Sequence, residues 1–189
     1  MEKDVDLCTS RVTEANTMND QIFSALVPPG PEMRQQPERA LNLTISSPRL
    51  LDTLHFVDDI VDGSLGPEEV EVSVRAVGVN FKDVMVALGQ LPDKSLRQEY
   101  AGIVTHVSVN VDLSQVTVGD RVCCITHGAF KTYARSHASS VHRIPDSMAF
   151  STAAALPITF CTAYYSLHHL GRLRQGESVL IHAATGVLG

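Results

Sequence analysis

The sequence predicts an α/β protein with a mainly β N-terminal part: a compact, barrel-like domain over about residues 41–145, then helices and one further strand. Three observations carry that expectation. Short runs with alternating apolar residues recur from Leu41 to Pro145 between Gly and Pro turns. The period changes from two to helical after Gly78, and again from Ser151. The chain then runs "VLIHAATGVLG" over residues 179–189, an apolar strand leading into a glycine-bearing turn, as a nucleotide-binding fold opens.

Residues 1–39 hold scattered charge and the Pro-rich stretch "VPPGPEMRQQPER". Such a composition buries too little apolar area to offset chain entropy, so a disordered or linker segment is expected there. The fold is expected to start near Leu41, with "LNLTI", "LDTLHFVDD" and "EEVEVSVRAVGVN" as successive strand runs. Within "VEVSVRAV", Val70, Val72, Val74 and Ala76 share one face, and Glu71, Ser73 and Arg75 the other, the pattern of a half-buried antiparallel strand. "NFKDVMVALG" then places Phe81, Val84, Met85 and Leu88 at helical spacing, with Asn80 as N-cap and Gly89 as the stop.

Strand patterns return in "YAGIVTHVSV", in "RVCCI" after the turn "VGD", in "GAFKTYARS" and in "SVHRIP". From Ser151, "STAAALPITFCTAYYSLHHLGRL" is helical, with Ser151 as cap and Pro157 kinking the run or dividing it in two. "RQGESVLIHAATGVLG" adds a turn, a strand from Ser178 to His182 and the glycine turn.

Composition narrows the function. The 189 residues are 44% hydrophobic and 19% charged, enough for one good core. A net charge of −6 argues against nucleic-acid binding, which rests on clustered Lys and Arg. No apolar run reaches the roughly 20 residues of a membrane span, and "MEKDVDLCTS" is no signal peptide, so an intracellular, cytoplasmic setting is expected with no membrane partner. Cys8, Cys123, Cys124 and Cys161 are too few and too irregular for a disulfide framework and read as core or half-core thiols. The eight histidines fall in no metal-ligand pattern, and no metal site is expected.

In a dinucleotide-binding turn, glycines let backbone N–H groups approach the pyrophosphate and let the next helix pack closely. "ATGVLG" gives A-x-G-x-x-G, with Ala184 where the first glycine usually sits. Alone that signal is weak.

In order, "VRAVGVNFKDVMVALGQLP", "EYAGIV", "VGDRV", "GAFKTYARS", "ALPITFCTAYYSL" and "GESVLIHAATGVLG" resemble the enoyl reductase domain of fungal, highly reducing polyketide synthases. These belong to the medium-chain dehydrogenase/reductase superfamily. The resemblance covers about residues 41–189 and includes the opening "LNLTISSPRLLDTLHF". It implies a GroES-like, partly open β-barrel as substrate domain over residues 40–148. Residues 149–189 would then be the connecting helices and the first strand of a Rossmann cofactor domain, truncated here, so that the chain is expected to be a fragment of low stability or prone to self-association.

The activity implied is NADPH-dependent reduction of the α,β double bond of an enoyl thioester on an acyl carrier protein. Hydride goes to the β-carbon and a proton to the α-carbon. The implied partners are that carrier-bound thioester and other polyketide synthase domains, with a homodimer left open. By the resemblance Asn80, Phe81 and Asp83 line the catalytic cleft and Thr162 sits near the nicotinamide. Ala183, Thr185, Gly186, Val187, Leu188 and Gly189 map onto the pyrophosphate turn.

Each residue also has a plainer role open to it. Asn80 can be only a helix cap, Asp83 a solvated first-turn charge favouring the helix dipole, and Thr162 a packed helix residue. Tyr164 and Tyr165 read as core or interface aromatics, and Asp120 and Arg121 as turn and scaffold residues. Where some members place a proton-donating tyrosine this chain has Leu91, so a donor must come from elsewhere. Glu99 in "QEYAG" stands without the His and Cys ligands of zinc-dependent relatives, in keeping with a metal-free reductase. Two other readings stay open: a non-catalytic remnant or interaction module of a polyketide synthase, and a zinc-independent quinone oxidoreductase-like enzyme.

Overall fold

A computed structural model describes residues 39–60, 63–92, 96, 98–126, 128–182 and 184–186, all within one unit spanning Arg39–Gly189. The linker expected over residues 1–39 lies outside these residues except for Arg39. Arg39 already belongs to the fold, its guanidinium paired with the Asp58 carboxylate at 2.7 Å.

Strand β1 (Leu41–Ile45) pairs antiparallel with β2 (Leu54–Asp58), so that Leu43 faces Phe56 and Ile45 faces Leu54. A second sheet holds β3 (Glu69–Gly78), β4 (Glu99–Val107), β5 (Arg121–Ile125), β6 (Tyr133–His137) and β7 (Val141–Arg143) in the order β6-β3-β4-β5-β7, every pair antiparallel. The segment before β6 joins the sheets: the Leu43 N–H donates to the Phe130 carbonyl and the Thr132 N–H to the Leu41 carbonyl, both at 2.9 Å. Both sheets are open, and no closed barrel forms among the described residues. The partly open barrel implied by the resemblance is therefore present as two linked open sheets.

The main core lies on one face of the larger sheet, where Val70, Val72, Tyr100, Val104, Val122, Cys124, Ala134 and Val141 pack together. Each large apolar side chain buried this way contributes roughly 1.5–3 kcal/mol. The alternation expected for β3 holds only as far as Val74. The register with β4 shifts between Val74 and Ala76, leaving Arg75 as the extra residue of a bulge. From there the faces exchange: Val77 joins Val74 against the main core, while Ala76 turns to the opposite side against Ala101, Ala153 and Ala154.

Helix α1 (Phe81–Ala87) starts at Asn80 and stops before Gly89, as the sequence predicts, with Gly89 at φ +64°, a conformation that favours glycine. Its buried face differs from the expected one. Asp83, Val86 and Ala87 turn inward, Val86 and Ala87 against Ile45 and Leu96, while Phe81 and Val84 are exposed. A capped seven-residue helix carries too few turns for its apolar spacing to decide orientation; its contacts with β1 decide it.

Pro157 does divide the later helical run. Helix α2 (Phe150–Ala154) ends just before it, and α3 (Pro157–Tyr164) begins with the proline at its first position, where the missing N–H costs nothing. α3 continues into wider π-type turns over Tyr165–Leu170. Ser151 is not the cap of α2; Ala149 holds that position, and Ser151 lies inside the first turn. The strand expected from Ser178 to His182 is also absent. No described strand lies alongside to receive its hydrogen bonds, and Val179, Leu180 and Ile181 are exposed. No helix among the described residues is long and apolar enough to cross a membrane.

Candidate functional site

The first turn of α1 is held from both sides by buried carboxylates. Asp83, only 4% exposed, accepts the Asn80 backbone N–H at 2.9 Å, which is the Asp83 half of a capping box. The Asn80 side chain reaches the other way, its Nδ2 donating to Glu99 Oε1 at 2.9 Å. Asn80 is thus both the helix cap and a link to the sheet. Asp83 is buried, which overturns the reading of a solvated first-turn charge.

Glu99, only 2% exposed at the start of β4, has a second partner. Its Oε2 accepts the Ile158 N–H at 2.7 Å, one of the first-turn donors of α3 that no intrahelical carbonyl can serve. One carboxylate therefore ties three elements together: β4, the cap of α1 and the N-terminus of α3. The negative charge faces the positive end of the α3 peptide dipoles. The opposite strand makes room for it. Gly78 is the cross-strand neighbour of Glu99, and a Cβ on Gly78 would stand 2.3 Å from Glu99 Oε1 and 2.6 Å from the Ala154 carbonyl oxygen.

A pocket of about 440 Å³ opens beside this seam, with Gln98, Ile125, Thr126 and Ile158 among its walls. Phe81, 76% exposed, offers apolar surface at the start of α1. Thr162 is exposed on α3, four residues after Ile158 and so on the same helix face one turn along. Asn80, Phe81 and Asp83 are brought together on α1, and Glu99 couples them to the helix that carries Thr162. Thr162 is not the packed helix residue of the plainer reading, and Tyr164 and Tyr165 are exposed rather than core, Tyr164 tilted against His168 at a ring separation of 4.8 Å and Tyr165 stacked on His169 at 5.1 Å.

Of the residues expected in the pyrophosphate turn, Thr185 and Gly186 are exposed, and Ala183, Val187, Leu188 and Gly189 lie outside the described residues.

Other polar groups serve the scaffold. Asp120 accepts the Thr117 N–H at 2.7 Å and pairs with Arg143 at 2.6 Å. Arg121 bonds the Met148 carbonyl and lies 4.2 Å over the Phe150 ring, so both read as turn and scaffold residues in the structure too. Burial pushes the Tyr100 phenol far up, and its hydroxyl shares a 2.9 Å hydrogen bond with Ser136 inside the core. Among the described residues no group of three or more His, Cys, Asp or Glu side chains could hold a metal ion.

Sequence reasoning treated Glu99 only as a residue left without metal ligands and passed over Gln98, Thr126 and Ile158. A signal was available for Glu99: an acidic residue opens the apolar run "YAGIV", a position that stays buried only if its charge finds donors.

The open antiparallel sheets and the capped α1 have the architecture of a GroES-like fold. The alcohol dehydrogenase GroES-like family matches residues 66–146. The chain is 43% identical over 182 residues to the highly reducing polyketide synthase phiA of a fungal species, an alignment covering 95% of this chain and 7% of that protein. It is similar in fold to the crystal structure of CurK enoyl reductase, with a TM-score of 0.74 and 34% identity over 80% of this chain and 49% of that one. It also resembles mycobacterial Rv1454c complexed with NADPH, with a TM-score of 0.68 and 27% identity over 78% of this chain and 48% of that one. The chain belongs to the enoyl reductase domains of polyketide synthases, within the medium-chain dehydrogenase/reductase superfamily. It spans about half the length of these two solved structures and a small fraction of the matched synthase.

Proposed function

We propose that this chain supplies the substrate side of an NADPH-dependent enoyl reductase, acting on the α,β double bond of a thioester carried by an acyl carrier protein within a polyketide synthase. The observation that carries the reading is the Glu99 seam, which fixes the first turn of α1 against the N-terminus of α3. A cleft between two elements serves catalysis only if its walls keep a set distance, since misplacement by an ångström is costly. In this reading Phe81 and Val84 present apolar surface to the acyl chain, Gln98 and Thr126 present polar atoms to the thioester end, and Thr162 faces the nicotinamide. NADPH, when bound, supplies the hydride. The likeness to a reductase solved with NADPH supports that choice of cofactor.

The unpaired segment Val179–Ile181 favours a second reading for the 189 residues taken alone, a non-catalytic module of a synthase. Titration with NADPH, followed by nicotinamide fluorescence, separates the two. A saturable enhancement reversed by NADP⁺ supports the reductase reading and leads to assay with crotonyl thioesters. A flat response up to millimolar cofactor rejects it for this polypeptide.

A further inference from the structure

Strand β2 has an open edge. The Leu43 N–H and the Leu41 carbonyl of β1 are taken by Phe130 and Thr132, so alternation turns the backbone groups of Asn42 and Thr44 toward β2, where they meet Val57 and His55. The Asp59 N–H, bonded to the Ala40 carbonyl at 2.9 Å, continues that row. Leu54, Phe56 and Asp58 therefore turn their backbone groups away from β1. The Leu54 N–H returns to the Leu51 carbonyl. The Leu54 carbonyl and both backbone groups of Phe56 and Asp58 meet no partner among the described residues. Natural edges are blunted by Lys, Pro or a bulge. β2 reads LHFVD, with none of these, and its register with β1 is unbroken. Its carboxylate, Asp58, is neutralised by the Arg39 guanidinium at 2.7 Å. Phe56 is 63% exposed, and Ile60 just past the strand is 88% exposed.

We propose that a second copy of this chain covers the edge, β2 lying antiparallel against β2 about a two-fold axis at Phe56. This inference goes beyond the reductase reading and does not rest on it. The strand is self-complementary in that register. Each Phe56 N–H donates to the Phe56 carbonyl of the other copy, and each Asp58 N–H to the Leu54 carbonyl. Leu54 stands across from Asp58, so no two carboxylates face each other, and the exposed Phe56 rings meet at the axis as a cross-strand aromatic pair. A two-fold contact uses the same patch on both copies, so both open edges are satisfied at once. The two hairpins become one sheet in the order β1-β2-β2-β1. A five-residue strand buries less than the about 1,000 Å² of a tight interface, so the dimer is weak and separates on dilution.

The test follows the full 189-residue chain by sedimentation over a concentration series. Monomer is expected to pass into dimer by about millimolar chain. In a sample mixing isotope-labelled and unlabelled chains, an interchain nuclear Overhauser effect is expected between the α-protons of His55 and Val57, the pair without hydrogen bonds beside the axis. Phe56→Lys sets two like charges face to face, and Phe56→Pro removes an N–H that β1 does not use. Each is expected to weaken the dimer at least about tenfold with the urea midpoint nearly unchanged. Leu180→Asp is expected to leave the dimer in place. A chain that stays monomeric at every concentration overturns the proposal. So does a dimer that both Phe56 variants keep, that Leu180→Asp removes, or that lacks the His55–Val57 contact.

Discussion

The seam around Glu99 and the segment beyond α3 contrast in how they satisfy the same physical demands. At the seam, Gly78, Asn80, Asp83, Glu99 and Ile158 come from four elements, and the hydrogen bonds between them are 2.7–2.9 Å long. Beyond α3, Val179, Leu180 and Ile181 form an apolar run with β-branched residues on either side of Leu180, yet pair with no described strand and stay exposed. Strand propensity is similar to that of β3 or β4; what differs is the presence of a neighbour. A strand is stabilised through its cross-strand contacts far more than through its own sequence.

The largest effect should follow removal of the seam's acceptor. Glu99→Ala leaves the half-buried Asn80 amide and Ile158 N–H without their acceptor, each costing at least about 1 kcal/mol, so we expect about 2–3 kcal/mol of lost stability in a urea melt. Glu99→Gln keeps one good acceptor and should fall between the two. Equal stability of Glu99→Ala and the parent would break the comparison outright.

A smaller, pH-dependent effect belongs to Glu71 on the far part of β3. Burial raises its pKa, but the hydrogen bonds from Arg135 at 3.1 Å, His106 at 2.9 Å and Thr105 at 3.1 Å outweigh it and hold the carboxyl below its ordinary value of 4.5. A depressed folded pKa contributes stability that is present above the unfolded pKa and is lost as pH falls through the folded one. The melting midpoint should therefore hold steady down to about pH 5 and drop below it. In Glu71→Gln that part of the acid slope should disappear, while an unchanged slope would assign the acid loss to other carboxylates.

The fold was legible where local chemistry decides the element. Asn80 and Gly89 bracket α1, Pro157 opens α3, and alternating apolar runs mark β3 to β7, because caps, breakers and period two act over a few residues. The departures from expectation come from partners distant in sequence. Nothing near Arg75 announces the bulge that turns Ala76 away from Val74, since the bulge exists only in register with β4. The burial of Asp83 and the outward turn of Phe81 depend on Ile45 and Leu96 lying under α1. The candidate site divides in the same way: Asn80 was found as a cap, but its bond to Glu99 spans 19 residues and that of Ile158 spans 59.

The smallest expected effect tests the other side of the contrast. Leu180 is 80% exposed and Val179 and Ile181 are about half exposed, so their side chains contribute little buried area. A charged residue costs stability only where it must leave water, and substitutions at exposed sites away from caps and networks stay within about 0.5 kcal/mol. Leu180→Asp should accordingly leave the urea midpoint of the chain unchanged. A loss of about 2 kcal/mol would be the signature of a buried leucine, and would mean that the segment packs in solution against another surface. The same variant also reads association, because an exposed apolar run with unpaired backbone is a template for pairing with another chain. If sedimentation shows the parent self-associating and Leu180→Asp monomeric at equal stability, the contact lies between chains and not within one.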